Sequence, residues 1–111
     1  DRKQGLLKYD NSSNFLQKIG KNGEGPEEYI MPYAIHLDDK ENIILVAEWE
    51  KRIVISYDFE GNFISSSQRL PGHPISFYKE NDTVLVVQET LNGTKEKSRQ
   101  VLISSIEPKT L

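Results

Sequence analysis

Residues 31–68 read MPYAIHLDDKENIILVAEWEKRIVISYDFEGNFISSSQ, which is four short extended runs separated by clusters of turn residues. The second run, from Ile43 to Ala47, is continuously apolar, and this pattern is typical of a strand buried on both faces. The fourth run, from Phe63 to Gln68, begins apolar and turns polar, as expected of a half-solvated outer strand. No segment shows the spacing of an amphipathic helix. The stretch therefore predicts one four-stranded antiparallel sheet.

Parts of the same unit lie on both sides of this stretch. Upstream, a hairpin is predicted from two apolar runs around a turn cluster, followed by a loop over residues 20–32 that is rich in glycine and proline. Downstream, residues 75–78, 83–88 and 100–106 resemble the first three strands, with a polar connection from Leu91 to Ser98 that lacks a helical pattern. We therefore expect residues 5–19 to end one unit, 33–68 to form a complete unit, and 74–106 to form most of a third.

The spacing of the repeated residues favours a β-propeller. Tyr9-Asp10 recurs as Tyr57-Asp58, and Ile53–Ser56 resembles Val101–Ser104, both 48 positions later (57 − 9 and 101 − 53). The first strand repeats after 40 positions and the second after about 41, from Ile43 to Val84. A period of about 40–50 residues with four strands per unit is typical of propeller blades. A β-sandwich also has closely spaced strands, but it does not explain an ungapped shift. The predicted fold is all-β: antiparallel four-stranded blades of a partial β-propeller.

Composition excludes several classes of function. Charged residues make up 28% of the chain and the net charge is −3, so no basic surface for nucleic acid is expected. The absence of cysteine excludes disulfides and thiolate zinc sites. The longest apolar run is far too short to span a membrane. We find no catalytic set of residues, and His36 and His73 are too far apart in the sequence to suggest a metal site. No cofactor is expected.

The connections at one end of the predicted sheets carry the candidate binding residues. In an antiparallel meander, the second-to-third turns and the links between blades share one face, and functional residues often lie on such loops. The candidates for ligand binding on this face are Tyr29, Tyr33, Glu48, Trp49, Arg52, Arg69, His73 and Glu89. Each has a structural alternative. Trp49 could stack on a ligand or cap the sheet edge, Arg52 could form a surface ion pair with Glu48 or Glu50, and Tyr29 could pack inside its loop.

A resemblance to a known family rests on residues distributed along the run that starts at Ile19. The matching positions are Gly20, Gly23, Gly25, Pro26, Glu28, Tyr29, Pro32, Ile35, Asp38, Ile43, Val46, Arg52-Ile53, Tyr57-Asp58 and Gly61. This order resembles NHL-type repeats, and more closely the six-bladed propeller proteins common in Bacteroidetes. NHL repeats usually have Asp where Glu48 stands. The resemblance implies a fragment of about two blades from a protein exported to the periplasm or cell surface.

Two classes of function follow from this resemblance. The first is a non-enzymatic module that binds a protein or carbohydrate ligand on the loop-rich face. The alternative is part of a propeller enzyme, a lyase or a glycoside-active protein, whose site is completed by missing blades. Self-association is a further expectation, because the strands at Leu6–Tyr9 and around Leu102 would leave unpaired sheet edges.

Overall fold

The strands of this protein come in short antiparallel runs, as the apolar pattern predicts. The structure is a computed structural model that describes residues 5–91 and 99–111, and about 60% of it is strand. Over these residues there is no α-helix, and the predicted all-β class is confirmed. The strands are β1 (Leu6–Tyr9), β2 (Phe15–Ile19), β3 (Lys21–Asn22), β4 (Glu28–Tyr29), β5 (Pro32–Asp38), β6 (Ile43–Glu48), β7 (Ile53–Asp58), β8 (Phe63–Ser66), β9 (His73–Glu80), β10 (Thr83–Leu91) and β11 (Arg99–Ile106), and a 3-10 turn follows at Pro108–Thr110.

The central sheet has the order β5-β6-β7-β8, and every neighbouring pair is antiparallel. All six residues of β6 are buried, which confirms that its continuous apolar run is covered on both faces. β5 alternates instead, with Tyr33, Ile35 and Leu37 exposed on one face. The outer strand β8 is partly exposed, as predicted, but its apolar Phe63 and Ile64 are the exposed residues and its polar Ser65 and Ser66 are half-buried.

The β1–β2 hairpin is a copy of the β7–β8 hairpin at the shift of 48 seen in the sequence (57 − 9). In both turns an aspartate, Asp10 or Asp58, accepts hydrogen bonds from backbone N–H groups two and four positions later. Tyr9 pairs with Phe15 as Tyr57 pairs with Phe63, each beside a β-bulge. The rings in both pairs meet edge to face, at 5.7 and 6.3 Å between centroids. The sequence repeat is therefore a structural repeat here.

The third sheet has the strand order β11-β10-β9. The number of positions between its residues and their counterparts in the central sheet differs from the number predicted from the sequence. Val84 and Val86 pack on the face of the central sheet that carries Ile43. They therefore occupy the positions of Ile44 and Val46, which is a shift of 40 (84 − 44) rather than about 41. The predicted shift of the second strand is therefore wrong by one position. This matters because a change of one position moves each side chain to the opposite face of the sheet.

The first and third strands of this sheet are displaced as well. Ser104 pairs with Val86, whereas Ile55 pairs with Val46, so the third-strand shift is 49 (104 − 55) and the interpretation of 48 is wrong there. Phe77 also pairs with Val86, as Ile35 pairs with Val46, so the first-strand shift is 42 (77 − 35) rather than 40. A difference of two keeps each first-strand side chain on the predicted face.

Two hydrophobic cores hold the three sheets side by side. One face of the central sheet packs against β2 through Ile44, Val46, Ile55, Tyr57 and Ile19, and the buried Tyr29 joins this cluster. The other face packs against β10 through Ile43, Leu45 and Val54. Because the inner strands of the central sheet contribute alternate residues to both cores, the sheet is covered on both sides.

The connection over residues 20–32 contains short pairings that were not predicted. It was expected to be a loop, but Lys21–Asn22 and Glu28–Tyr29 form a two-residue parallel pair. The predicted polar connection from Leu91 to Ser98 lies, after Leu91, outside the residues that the structure describes. Residues 5–91 and 99–111 contain no helix that could span a lipid bilayer.

Candidate functional site

The two ends of the sheets differ in structure. At one end, Lys40 in the β5–β6 turn lies 3.6 Å from Asp82 in the β9–β10 turn, so short turns from neighbouring sheets meet there. At the opposite end lie the connection 20–32, the turn 48–52, the connection 69–74 and the end of β10. We call this end the loop face. All eight candidate residues are in or next to these segments.

On the loop face, the side chains of Trp49 and His73 are stacked. Their ring centroids are 4.1 Å apart with an interplanar angle of 20°. His73 Nδ1 lies 2.8 Å from the carbonyl oxygen of Trp49, and the Trp49 N–H donates to the carbonyl of Met31 at 3.0 Å. The carbonyl of Trp49 can only accept, so the imidazole carries its proton on Nδ1. Both rings remain half-exposed, so a fixed aromatic surface spans the junction of the central and third sheets.

Arg52 extends this surface towards the connection 69–74. It adopts a positive φ of 58° in the β6–β7 turn, and its carbonyl accepts the Leu70 N–H at 2.7 Å. Its Nη1 reaches the carbonyl of Pro71 at 3.4 Å, whereas its buried Nε has no hydrogen-bond partner among the described residues. The predicted ion pair with Glu48 or Glu50 does not appear among the described contacts. The single long bond from Nη1 leaves guanidinium donors that make no hydrogen bond among the described residues.

Glu48 is completely buried, and its carboxylate binds the protein's own backbone. Oε1 accepts from the N–H groups of Ile30 and Met31, the latter at 2.6 Å. Oε2 accepts from the N–H groups of Glu50 at 2.7 Å and Lys51 at 3.1 Å. Four charge-assisted hydrogen bonds satisfy the buried carboxylate and tie the connection 20–32 to the β6–β7 turn.

Tyr29 is also completely buried, in agreement with the alternative that it packs inside its loop. Its hydroxyl donates to the carbonyl of Ile19 at 2.6 Å and accepts the N–H of Leu6 at 2.9 Å. Leu6 and Ile19 are paired in register, so the hydroxyl bridges the end of the β1–β2 ladder. Burial raises the pKa of the Tyr29 phenol, which keeps the hydroxyl protonated and able to donate.

The remaining candidates lie around the stack in different environments. Tyr33 is 56% exposed near the start of β5, and Arg69 is exposed in the connection after β8. Glu89 is half-buried and directly opposite His73 in the β9–β10 ladder. The fold therefore brings Trp49, Arg52, His73 and Glu89 together at one junction, while Tyr33 and Arg69 supply exposed side chains on the same face.

The sequence comparison missed the role of Gln88. Pro74 pairs with Gln88 as Pro32 pairs with Glu48, and in each case the N–H two positions before the proline donates to the buried side chain. For Gln88 this bond comes from Gly72 at 3.2 Å. The signal was present as a shift of 40 (88 − 48), which is one position less than the shift of about 41 predicted for the second strand.

Chemically, this junction offers stacking and hydrogen bonding. Over residues 5–91 and 99–111, no three His, Asp or Glu side chains are grouped so that they could hold a metal ion. The half-exposed rings and the guanidinium suit a ligand with a flat face and acceptor oxygens, such as a sugar ring or a peptide.

Comparisons with known proteins were made for the whole chain. A model of the family DUF5128, described as a 6-bladed beta-propeller, matches residues 1–109. No curated protein matches the chain. Among solved structures, a crystal structure of a "Putative exported protein" from Bacteroides fragilis is similar, with a TM-score of 0.69 and 20% identity. The similarity covers 91% of this chain and 34% of that one, so this chain spans about a third of its length. At 20% identity this similarity supports a shared fold and nothing further.

Proposed function

Because this chain belongs to a family of six-bladed β-propellers, we propose that it is part of a non-enzymatic binding module whose ligand lies on the loop face. Residues 5–19 are the end of one blade, residues 33–68 a complete blade, and residues 74–106 most of a third. The grouping of strands into sheets of two, four and three members supports this division. The repeat is of the NHL type found in Bacteroidetes propellers, which the sequence motif supports.

The stack of Trp49 on His73 is the observation that carries the binding proposal. A half-exposed tryptophan side chain that already stacks on a neighbouring ring loses little conformational entropy when a ligand covers it. Arg52, in the same turn as Trp49, adds the Nη donors of its guanidinium, and Tyr33 and Arg69 extend the surface. Glu48 and Tyr29 hold the loops beneath this surface. Glu89 lines it from the end of β10.

The ligand is a protein or a carbohydrate, because both offer a flat or apolar face for the rings and acceptors for the guanidinium. We propose that the module is exported, to the periplasm or the cell surface. The similar structure from Bacteroides fragilis, described as a "Putative exported protein", supports export. Binding of such a ligand needs no cofactor.

Trp49 is the only tryptophan of the chain, so its fluorescence reports on this surface directly. We expect a panel of oligosaccharides and peptides to contain a ligand that changes the emission of Trp49 and that binds more weakly to the His73→Ala and Arg52→Ala variants. Tyr78→Ala is the matched control, because Tyr78 is a 62% exposed aromatic residue near the opposite end of the sheets. A ligand whose affinity falls with Tyr78→Ala but not with His73→Ala would contradict the proposed site.

A further inference from the structure

Arg52 has a backbone conformation that arginine rarely adopts. Its φ of 58° lies in the left-handed region, where a side chain crowds the backbone and where glycine and asparagine are favoured. Three further residues other than glycine have a positive φ in the described part of the chain, namely Ser13, Asn42 and Asn81. All three have short polar side chains. Arg52 therefore places a long charged side chain at a position that favours a different residue.

The β5–β6 turn provides a matched reference within the same sheet. Asp38 accepts the backbone N–H groups two and three positions later, as Glu48 does in the β6–β7 turn. Both turns have four residues between the strands and end on a left-handed residue, which is Asn42 in one and Arg52 in the other. The turn can therefore be built with asparagine at this position. Backbone strain that is retained where the fold does not require it supports a functional role for the side chain.

The guanidinium of Arg52 is little used inside the protein. Its Nη1 reaches the carbonyl oxygen of Pro71 at 3.4 Å, which is long for a hydrogen bond, and its Nε has no partner among the described residues. Because Nε is buried, a ligand would meet the terminal Nη groups. These two nitrogens offer parallel N–H donors, which is the geometry that the two oxygens of a carboxylate match.

The same contact relates the guanidinium to the aromatic pair. Pro71, which accepts from Arg52, is two residues before His73, and the His73 ring stacks on Trp49. Two residues of extended chain span at most about 7 Å. A ligand of a few sugar residues can therefore cover the rings and reach the Nη groups together. Since His73 carries its proton on Nδ1, its Nε2 is left as an acceptor for a ligand hydroxyl.

We propose that the ligand of the loop face is an acidic carbohydrate whose carboxylate binds the Nη groups of Arg52 and whose sugar rings pack on Trp49. This inference rests on the binding function proposed above and adds the chemical class of the ligand. A uronate carries its carboxylate directly on a rigid ring, so few rotatable bonds are fixed on binding. A peptide carries its carboxylates on flexible side chains and loses more conformational entropy.

The test uses trimers of galacturonate, mannuronate and guluronate, and their binding to the whole chain is followed by the emission of Trp49. We expect at least one acidic trimer to bind. Its methyl ester should bind at least about tenfold more weakly, because the ester keeps the ring but removes the charge that the guanidinium recognises. Glu50 is an exposed carboxylate in the same turn, so Glu50→Gln should strengthen binding of the acid and not of the ester.

Two variants of Arg52 separate its role in binding from its role in the fold. Arg52→Asn should weaken binding of the acid at least about tenfold and raise the melting temperature by about 4 °C, because asparagine relieves the left-handed strain. Arg52→Lys keeps both the strain and the charge but loses the paired donors. It should therefore weaken binding by a smaller factor and leave the melting temperature unchanged.

A lower melting temperature for Arg52→Asn would mean that the arginine serves the fold, and it would overturn the proposal. So would equal binding of acid and ester, no binding of any acidic trimer, or binding of tetraglutamate without any uronate. A neutral sugar that needs His73 but not Arg52 would overturn this inference alone and leave the loop-face site standing. A uronate that binds equally well to His73→Ala would count against the loop-face site itself.

Discussion

Replacing Glu48 by Gln changes one carboxylate oxygen of a buried side chain to an NH2 group and leaves its shape the same. The carboxylate accepts four backbone hydrogen bonds, two at each oxygen. An amide can keep only the two at its remaining oxygen, because its NH2 group is a donor that faces donors. We expect this single change to loosen the junction of the connection 20–32 with the β6–β7 turn.

The expected loss of stability follows from the hydrogen bonds. Two backbone N–H groups lose a hydrogen bond to a charged acceptor, at about 1.5–3 kcal/mol each, and the two retained bonds lose their charge assistance. We therefore expect the free energy of unfolding to fall by about 3–5 kcal/mol. For a domain whose total stability is about 5–15 kcal/mol, this is a large fraction.

Urea denaturation followed by circular dichroism measures the loss, and Glu50→Gln is the matched control. Glu50 is the exposed neighbour in the same turn, so its substitution should change stability by less than about 0.5 kcal/mol. Amide exchange locates the effect: the Met31, Glu50 and Lys51 amides should exchange faster in Glu48→Gln, and the amides of β10 should not.

A Glu48→Gln protein as stable as the unaltered one would refute the reasoning that the carboxylate is a structural acceptor. Loss of stability with unchanged exchange at Met31 and Lys51 would place the damage elsewhere and refute the assigned contacts.

Three further outcomes are expected. Hydrogen bonds from the Asn62 and Glu60 backbone hold the pKa of Asp58 below its usual value. The stability that Asp58 supplies is therefore present above about pH 4 and is lost as the pH falls through the folded pKa. Asp58→Asn should reduce this loss of stability at low pH, as measured by urea titrations at several pH values. Gly20→Ala should lower the melting temperature, because Gly20 has a φ of 74° and a Cβ would lie 2.5 Å from the hydroxyl of Tyr57. In the control Gly25→Ala, the Cβ would meet only a flexible glutamate, so the melting temperature should change far less. Tyr57→Phe removes the hydrogen bond to the Glu27 carbonyl and should cost about 1 kcal/mol in urea denaturation.

The sequence contained enough information for the strands because their burial pattern is local. β6 is continuously apolar because both of its faces are covered, whereas β5 alternates because only one of its faces is covered. The β1–β2 turn could be predicted from the β7–β8 turn, because an aspartate with an asparagine four positions later makes the same hydrogen bonds in both.

Register in the third sheet could not be predicted in the same way. Val84 resembles Ile43 and Ile44 equally, so side-chain type did not distinguish a shift of 40 from a shift of 41. The turns also differ in length: Asp38 pairs with Ile43, whereas Glu80 pairs with Thr83, which is a tighter connection. Both turns are rich in the same polar residues, so composition did not reveal which strand had moved relative to the other.

The sequence also did not reveal which polar candidates are buried. Glu48 stands among charged residues, and Tyr29 follows two glutamates, so both have surroundings typical of a surface. Their hydrogen-bond partners come from several segments: the β1–β2 hairpin supplies those of the Tyr29 hydroxyl, and the connection 20–32 and the β6–β7 turn supply those of Glu48. Burial of this kind depends on contacts between segments that are distant in the chain.

The connection 20–32 also determines how the protein should unfold. Tyr29 fastens it to the β1–β2 ladder, and Glu48 and the ammonium of Lys51, which donates to the Gly25 and Glu28 carbonyls, fasten it to the central sheet. Stacked repeat units that interact weakly with their neighbours can unfold one unit at a time. Here the connection 20–32 is hydrogen-bonded to both the β1–β2 hairpin and the central sheet. A pulling force or rising temperature should therefore unfold the two in one cooperative step.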